Sequence, residues 1–194
     1  MKPTPLLLLV PFVWPSSVLA QPVPQQPSSP HVWRPSQKTD AAATFTYTRF
    51  TLMGTFVTPP HDQASNVPAL ALDCIPGKGS HGRKGKLLVA NLLVGTALKI
   101  VYVEPEEIRG MSYYPKIAIR YRIDDAKADK EEQWSAGTDK TSASIPKDSL
   151  KDFLRAHTVA ITADDDHGSQ VAMKFDMPDP TPVEQGCNVD EPKE

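Results

Sequence analysis

Apolar and polar residues alternate in short runs along the chain, and residues that favour turns separate the runs. The clearest alternation is KIAIRYRID, in which every second residue from 117 to 123 is apolar. A period of two predicts a β-strand with one face in the core and the other in solvent. KLLVANLLV, residues 86–94, is apolar almost throughout, which predicts a central strand covered on both faces.

Six further runs have strand character, because their apolar residues alternate or cluster between turn residues. They are residues 44–54, 68–74, 98–104, 131–136, 157–163 and 170–177. Only SIPKDSLKDFLRAH changes period, with Leu150, Phe153 and Leu154 at helical spacing. Strands that follow one another without helices between them exclude a parallel α/β fold. The pattern therefore predicts a mainly β fold, an antiparallel β-sandwich or partly open barrel with one short helix.

The N-terminus has the organisation of an export signal. Residues 1–20 combine one positive charge, an apolar run from 6 to 14 and a small-residue end, which predicts a secretory signal peptide cleaved after Ala20. The apolar run is shorter than the roughly 20 residues that a membrane-spanning helix needs, so we expect no transmembrane anchor. The predicted localisation is periplasmic or secreted.

Proline content predicts where the domain begins and ends. Residues 21–42 are rich in proline and glutamine, which predicts an extended linker. A single β-rich domain is then expected over residues 43–188. The prolines before Cys187 predict an irregular path across the surface, since proline interrupts a sheet. Residues 189–194 form an acidic tail.

The chain has two cysteines, Cys74 and Cys187. An exported chain enters an oxidising compartment, where an even cysteine count favours a disulfide. Cys74 shares a predicted strand face with Leu70 and Leu72, so its sulfur is expected at the edge of the core. We therefore predict one bond, between Cys74 and Cys187.

Net charge and two aromatic residues in a predicted loop indicate what kind of molecule the protein binds. The chain has 21 Lys and Arg against 23 Asp and Glu, a net charge of −2, which gives no overall attraction for nucleic acid. Tyr113 and Tyr114 lie in a predicted loop before Pro115, and such tyrosines favour protein contacts. Packing in the core is the alternative for both. The predicted partner is another envelope or secreted protein.

Glycines in CIPGKGSHGRKGK, residues 74–86, have the spacing of a dinucleotide-binding loop. Such a loop must open a helix whose N-terminal N–H groups hold the phosphates, whereas here a strand-like run follows. The segment is therefore predicted to be a hairpin loop. Its basic residues form a candidate anion-binding loop, consisting of Lys78, His81, Arg83, Lys84 and Lys86.

Four potential metal ligands, Asp164, Asp165, Asp166 and His167, lie together at a predicted hairpin tip. Calcium requires six or more oxygens from a wrapping loop, and zinc requires three or four spaced Cys or His ligands. Neither pattern is present, and Asp and Gly are ordinary turn residues, so we predict a turn with no metal or other cofactor. The alternative is a metal ion bound by these four side chains.

The order of several short motifs resembles a known family. PALALDC is followed by YRIDD, by W-S-x-x-T-D, by DFLRAHTVAITA, and by a strand with Phe175 and a late cysteine. Over about residues 68–187 this order resembles the periplasmic TagO/VasI-like proteins associated with bacterial type VI secretion, and related exported domains of unknown function. In that family the last strand leads into a short helical segment, whereas PDPTPVEQG is rich in proline.

The resemblance implies a small exported β-rich domain with a bridge between Cys74 and Cys187, an accessory or binding role, and no catalytic residues to carry over. The sequence also lacks the G-x-S-x-G of a nucleophile elbow. We therefore expect an exported non-enzymatic accessory or binding domain, associated with secretion or the envelope. The alternative is a metal-dependent hydrolase that uses residues 164–167.

Overall fold

A computed structural model describes residues 31–40, 45–61, 67–78, 84–101 and 115–187. These residues form eleven strands and two helices. The strands are β1 (Arg34–Asp40), β2 (Phe45–Met53), β3 (Thr55–Thr58), β4 (Ala69–Lys78), β5 (Lys84–Leu93), β6 (Ile100–Val101), β7 (Lys116–Ile123), β8 (Lys130–Ala136), β9 (Ser142–Ser144), β10 (Thr158–Asp164) and β11 (Gln170–Asp176). The helices are α1 (Lys147–Arg155) and α2 (Thr181–Cys187).

The strands form one antiparallel sheet with two free ends, which confirms the predicted mainly β class. Its order is β1-β2-β4-β5-β9-β8-β7-β10-β11-β3, and β6 pairs with β7. β2 lies near one end of this order and β3 lies at the other, although only Gly54 separates them along the chain. The sheet therefore curls until its two ends meet at Gly54, without closing through hydrogen bonds.

Gly54 forms the corner between β2 and β3. Its N–H donates to the carbonyl of Pro68 at 2.7 Å, which ties the corner to the start of β4. A Cβ atom at position 54 would lie 2.5 Å from Cε1 of Phe175 and 2.9 Å from the carbonyl oxygen of Lys174. The corner can therefore approach β11 only because residue 54 has no side chain.

The core lies between the inner face of the sheet and α1. Tyr121 and Trp134, on neighbouring strands, pack against Phe153 of α1, with ring centroids 5.1 Å and 6.1 Å from that of Phe153. α1 also buries Leu150 and Leu154, as the helical spacing predicted. One side of the helix thus supplies apolar area to the core, and this burial is the dominant stabilising contribution.

Most predicted strands are confirmed, and so is the direction in which their side chains point. β7 buries Ile117, Ile119 and Tyr121 on its inner face. The prediction that residues 86–94 are covered on both faces is wrong at Leu87, which is 60% exposed. Leu87 lies on the outer face of β5, where α1 and α2 do not cover the sheet.

The described residues contain two helices rather than the single one predicted. α2 replaces the expected irregular path, because Asp179 Oδ1 accepts hydrogen bonds from both the N–H and the hydroxyl of Thr181. Pro182 lies in the first turn, where a helix requires no N–H donor. At nine and seven residues, neither helix in the described part of the chain has the length or apolarity for crossing a membrane.

β1 forms within the segment that the prolines predicted to be a linker. It pairs with β2 from Arg34↔Thr51 to Asp40↔Phe45, so the linker prediction over residues 21–42 is wrong for Arg34–Asp40. Trp33, just before β1, is only 4% exposed and joins the core. An edge strand tolerates proline because one side of its backbone needs no partner, and the buried indole favours this pairing.

Candidate functional site

The predicted disulfide joins Cys74 of β4 to Cys187 at the end of α2. Both cysteines are 1% exposed, and their Cα atoms are 5.1 Å apart. Lys86 Nζ donates to the carbonyl of Gly186 at 2.6 Å, beside the bond. A cation at this position is favoured, because the last carbonyls of a helix carry partial negative charge. The disulfide and Lys86 together hold α2 against β4 and β5.

The glycine-rich segment is a β-hairpin, as predicted. β4 and β5 pair up to Lys78↔Lys84, so a strand follows the glycines and no helix is available to hold phosphates. Lys86 is exposed, and its Nζ donates to the Gly186 carbonyl of α2. His81 and Arg83 lie outside the described residues, as do the side chains of Lys78 and Lys84. The anion-binding loop stays a prediction.

Asp165 joins the loop after β3 to the turn between β10 and β11. It is 1% exposed, and its Oδ1 accepts from the backbone N–H groups of His167 at 3.1 Å and Ser169 at 2.7 Å. Its Oδ2 accepts from the backbone N–H of His61 at 3.4 Å. Burial opposes ionisation, but these N–H donors outweigh it and lower the pKa of Asp165 below its ordinary value. The carboxylate thus accepts hydrogen bonds from the protein's own backbone.

The other residues of this predicted turn point in different directions. Asp164 Oδ1 lies 3.8 Å from Arg120 Nη2 on the outer face of the sheet, and Asp166 Oδ1 lies 3.6 Å from His167 Nε2. The rings of His61 and His167 meet edge to face at 5.6 Å. Within the described ranges no three His, Cys, Asp or Glu side chains are grouped as a metal site would need.

Glu132 forms a polar network between β8 and α1. Its Oε1 accepts from the Tyr121 hydroxyl at 2.6 Å, and its Oε2 accepts from Trp134 Nε1 at 2.8 Å and Ser149 Oγ at 2.6 Å. Burial opposes ionisation, yet the bonds from Ser149, Tyr121 and Trp134 lower the pKa of Glu132 below its ordinary value. The three donors of the network thus all bond to Glu132 within the fold, and together they join α1 to the sheet.

A group of partly exposed apolar side chains covers the outer face of β2, β4 and β5. We call this group the outer patch, and it consists of Phe45, Tyr47, Ile75, Leu87 and Val89. Ile75 pairs with Leu87 across β4 and β5, and the rings of Phe45 and Tyr47 lie 6.0 Å apart. Thr48 of β2 pairs with Cys74 of β4, so the next positions along the two strands, Tyr47 and Ile75, belong to neighbouring strands and the patch extends over three strands.

One ion pair borders the outer patch and fixes its geometry. Arg49 of β2 donates through Nε and Nη2 to the two carboxylate oxygens of Asp73 on β4, at 2.6 and 2.7 Å. The Arg49 guanidinium also lies 6.0 Å from the centre of the Tyr47 ring. Bidentate pairing of this kind is strongly directional, so it holds β2 and β4 in register beneath the patch.

The sequence signal for the outer patch lies in the apolar run of residues 86–94. Leu88 and Ala90 face the core in this run, whereas Leu87 faces outward. The excess of apolar residues supplies both a core face and an exposed face. Tyr113 and Tyr114, the predicted contact residues, lie outside the described residues.

Comparison with known proteins found no family model, curated protein or solved structure that matches this chain.

Proposed function

We propose that this protein is an exported, non-enzymatic binding domain that holds another envelope or secreted protein against its outer patch. The observation that carries the proposal is the placement of five partly exposed apolar side chains on the outer face of three neighbouring strands, a face that neither helix covers. Contiguous exposed apolar residues bordered by polar ones are typical of protein interaction surfaces. Leu87, at 60% exposure, has the most area left to bury.

Two further features support an exported accessory role. The disulfide between Cys74 and Cys187 suits an oxidising compartment, and such bonds are typical of periplasmic and secreted proteins. α2 follows the last strand at the place where the TagO/VasI-like proteins have a short helical segment. Both features agree with the resemblance drawn from the sequence, and with a periplasmic or secreted protein associated with secretion or the envelope.

The structure offers little to the alternative of a metal-dependent hydrolase at residues 164–167. Asp165, the central carboxylate, accepts three backbone hydrogen bonds, so it has little capacity left for a metal ion. Asp164 and Asp166 make their ion pairs with different residues. A metal site would require these side chains to give up their present partners, whereas binding through the outer patch requires no change in the fold.

The test is photo-crosslinking from position 87 in the cell envelope of the source organism. A photoreactive amino acid at Leu87 should give one discrete adduct that excess unlabelled protein competes away. Val57 is the matched control, because this valine of β3 is 68% exposed, slightly more than Leu87, and lies away from the outer patch. Leu87→Glu should abolish recovery of the crosslinked partner, and Val57→Glu should leave it unchanged.

Two results would overturn the proposal. One is the same adduct from positions 57 and 87, which would indicate non-specific contact. The other is hydrolytic turnover by the purified protein that disappears on changing Asp165 or His167, which would favour the hydrolase.

A further inference from the structure

A groove of about 500 Å³ lies on the outer face of the sheet over β8, β7 and β10. It is separated from the outer patch by β9. Its floor is the small side chain of Ala118, and its walls carry Arg120, Glu131, Gln133 and Asp164. The volume falls within the range of roughly 300 to 1,000 Å³ that is usual for small-molecule sites.

Strand register explains why the groove is present. Ala118 on β7 pairs directly with Gln133 on β8, and Ile119 pairs with Ala163 on the other side, which brings Asp164 beside Ala118. Neighbouring strands lie about 4.8 Å apart, so Gln133 and Asp164 are separated by roughly 10 Å. The groove is open because the Ala118 methyl group lies between the longer side chains of Gln133 and Asp164.

The charges of the walls restrict the ligand. Arg120 faces Glu131 across the β7–β8 ladder and lies 3.8 Å from Asp164, with side chains 41% and 46% exposed. An anion in the groove would meet two carboxylates, and a cation would meet the guanidinium. A neutral ligand avoids both penalties, because hydroxyl and amide groups can donate to the carboxylates and accept from Arg120 and Gln133.

We propose that this groove binds a neutral, hydroxyl-rich ligand, of which an oligosaccharide is the chemical class that fits. The site differs from the one in the proposed function, since it uses other strands and polar rather than apolar contacts. Binding here and partner capture at Leu87 can therefore fail independently.

The test is titration of the ¹⁵N-labelled protein with four trisaccharides. Maltotriose and N-acetylated chitotriose are neutral, the galacturonic acid trimer is anionic, and the glucosamine trimer is cationic. We expect saturable amide shifts at residues of β7, β8 and β10 with at least one neutral sugar, and weaker or no shifts with either charged trimer.

Matched variants separate the groove from the rest of the face. Ala118→Trp should fill the groove and weaken binding by at least about tenfold. Ala160→Trp is the control, because Ala160 is an exposed alanine on the same face but outside the groove, and it should change the affinity by less than about twofold. Gln133→Ala, which leaves the floor unchanged, should also weaken binding and serves if Ala118→Trp does not fold.

The proposal is overturned if neither neutral sugar binds, or if a charged trimer binds more tightly than both. It is equally overturned if the shifts map to other strands or if Ala160→Trp weakens binding as much as Ala118→Trp.

Discussion

Ser149 of α1 donates its hydroxyl proton to a carboxylate oxygen of Glu132 on β8, at 2.6 Å. The same helix packs against Tyr121 and Trp134 through Phe153. Glu132 also accepts from those two side chains. One carboxylate thus joins the helix to two strands, and the aromatic cluster is held in place by polar as well as apolar contacts.

Glu132→Gln should lower the free energy of unfolding by about 2 kcal/mol, because an amide replaces one acceptor oxygen with a donor that faces other donors. Glu131→Gln is the control, because Glu131 is the exposed neighbour of Glu132 and its substitution should change the free energy of unfolding by less than about 0.5 kcal/mol. Urea denaturation at neutral pH measures both. Equal effects of the two variants would contradict a structural role for the network.

The same substitution should alter acid sensitivity. A carboxylate whose pKa is lowered on folding stabilises the protein above its ordinary pKa, here 4.5, and this stability is lost as the pH falls through the folded value. The free energy of unfolding of Glu132→Gln should therefore decline less than that of the original protein below about pH 4.5. Asp124, Asp139 and Asp179 also have lowered pKa values, so part of the decline should remain.

Reduction of the bond between Cys74 and Cys187 should lower the free energy of unfolding by about 4 to 5 kcal/mol, since the bond closes a very long loop in the unfolded chain. Guanidinium denaturation with and without reductant measures the change. A double variant, Cys74→Ala with Cys187→Ala, should match the reduced protein and should not respond to reductant. Alkylation of two thiols in the native, unreduced protein would contradict the prediction.

Gly54→Ala should lower the free energy of unfolding by about 2 to 3 kcal/mol, because the new methyl group would overlap the Phe175 ring and the Lys174 carbonyl. Gly77→Ala is the matched control, since a Cβ at that position meets nothing closer than 3.8 Å. Thermal denaturation compares the two. Similar melting temperatures for both variants would show that the corner tolerates a side chain.

Asp165→Ala should lower the free energy of unfolding by about 2 kcal/mol, because it removes the buried carboxylate that accepts three backbone hydrogen bonds and joins two loops. Asp166→Ala, at a side chain 52% exposed, should cost less than about 0.5 kcal/mol. Denaturation is measured with EDTA and with added Zn²⁺ or Mg²⁺. Metal-dependent stabilisation of the original protein that Asp165→Ala removes would revive the hydrolase alternative.

The sequence predicted those elements in which the order of apolar and polar residues shows which positions are buried and which are exposed. The alternation in β7 reveals which residues face the core, and the spacing of Leu150, Phe153 and Leu154 reveals a helix, because both signals are local. β1 has no alternation that predicts it, because none of its own residues is buried and only Trp33, just before it, enters the core. The prolines likewise conceal α2, whose start depends on the hydrogen bonds from Thr181 to Asp179.

The candidate surfaces could not be predicted in the same way. The outer patch requires β2, β4 and β5 to be neighbours, and the groove requires Ala118 to lie between Gln133 and Asp164. The residue types were visible in the sequence, but which strands stand side by side depends on pairings between distant segments. Local propensity contains no information about such pairings.

By itself, the sequence determined the β class, the two half-cystines, the main helix and the inward face of most strands, because burial of apolar side chains imposes a short period on neighbouring residues. Only the tertiary structure decided that the sheet curls to meet itself at Gly54, that Asp165 ties the loop after β3 to its own turn, and which outer faces remain uncovered. Those features arise from contacts between residues far apart in the chain, where steric fit and register determine what each side chain meets.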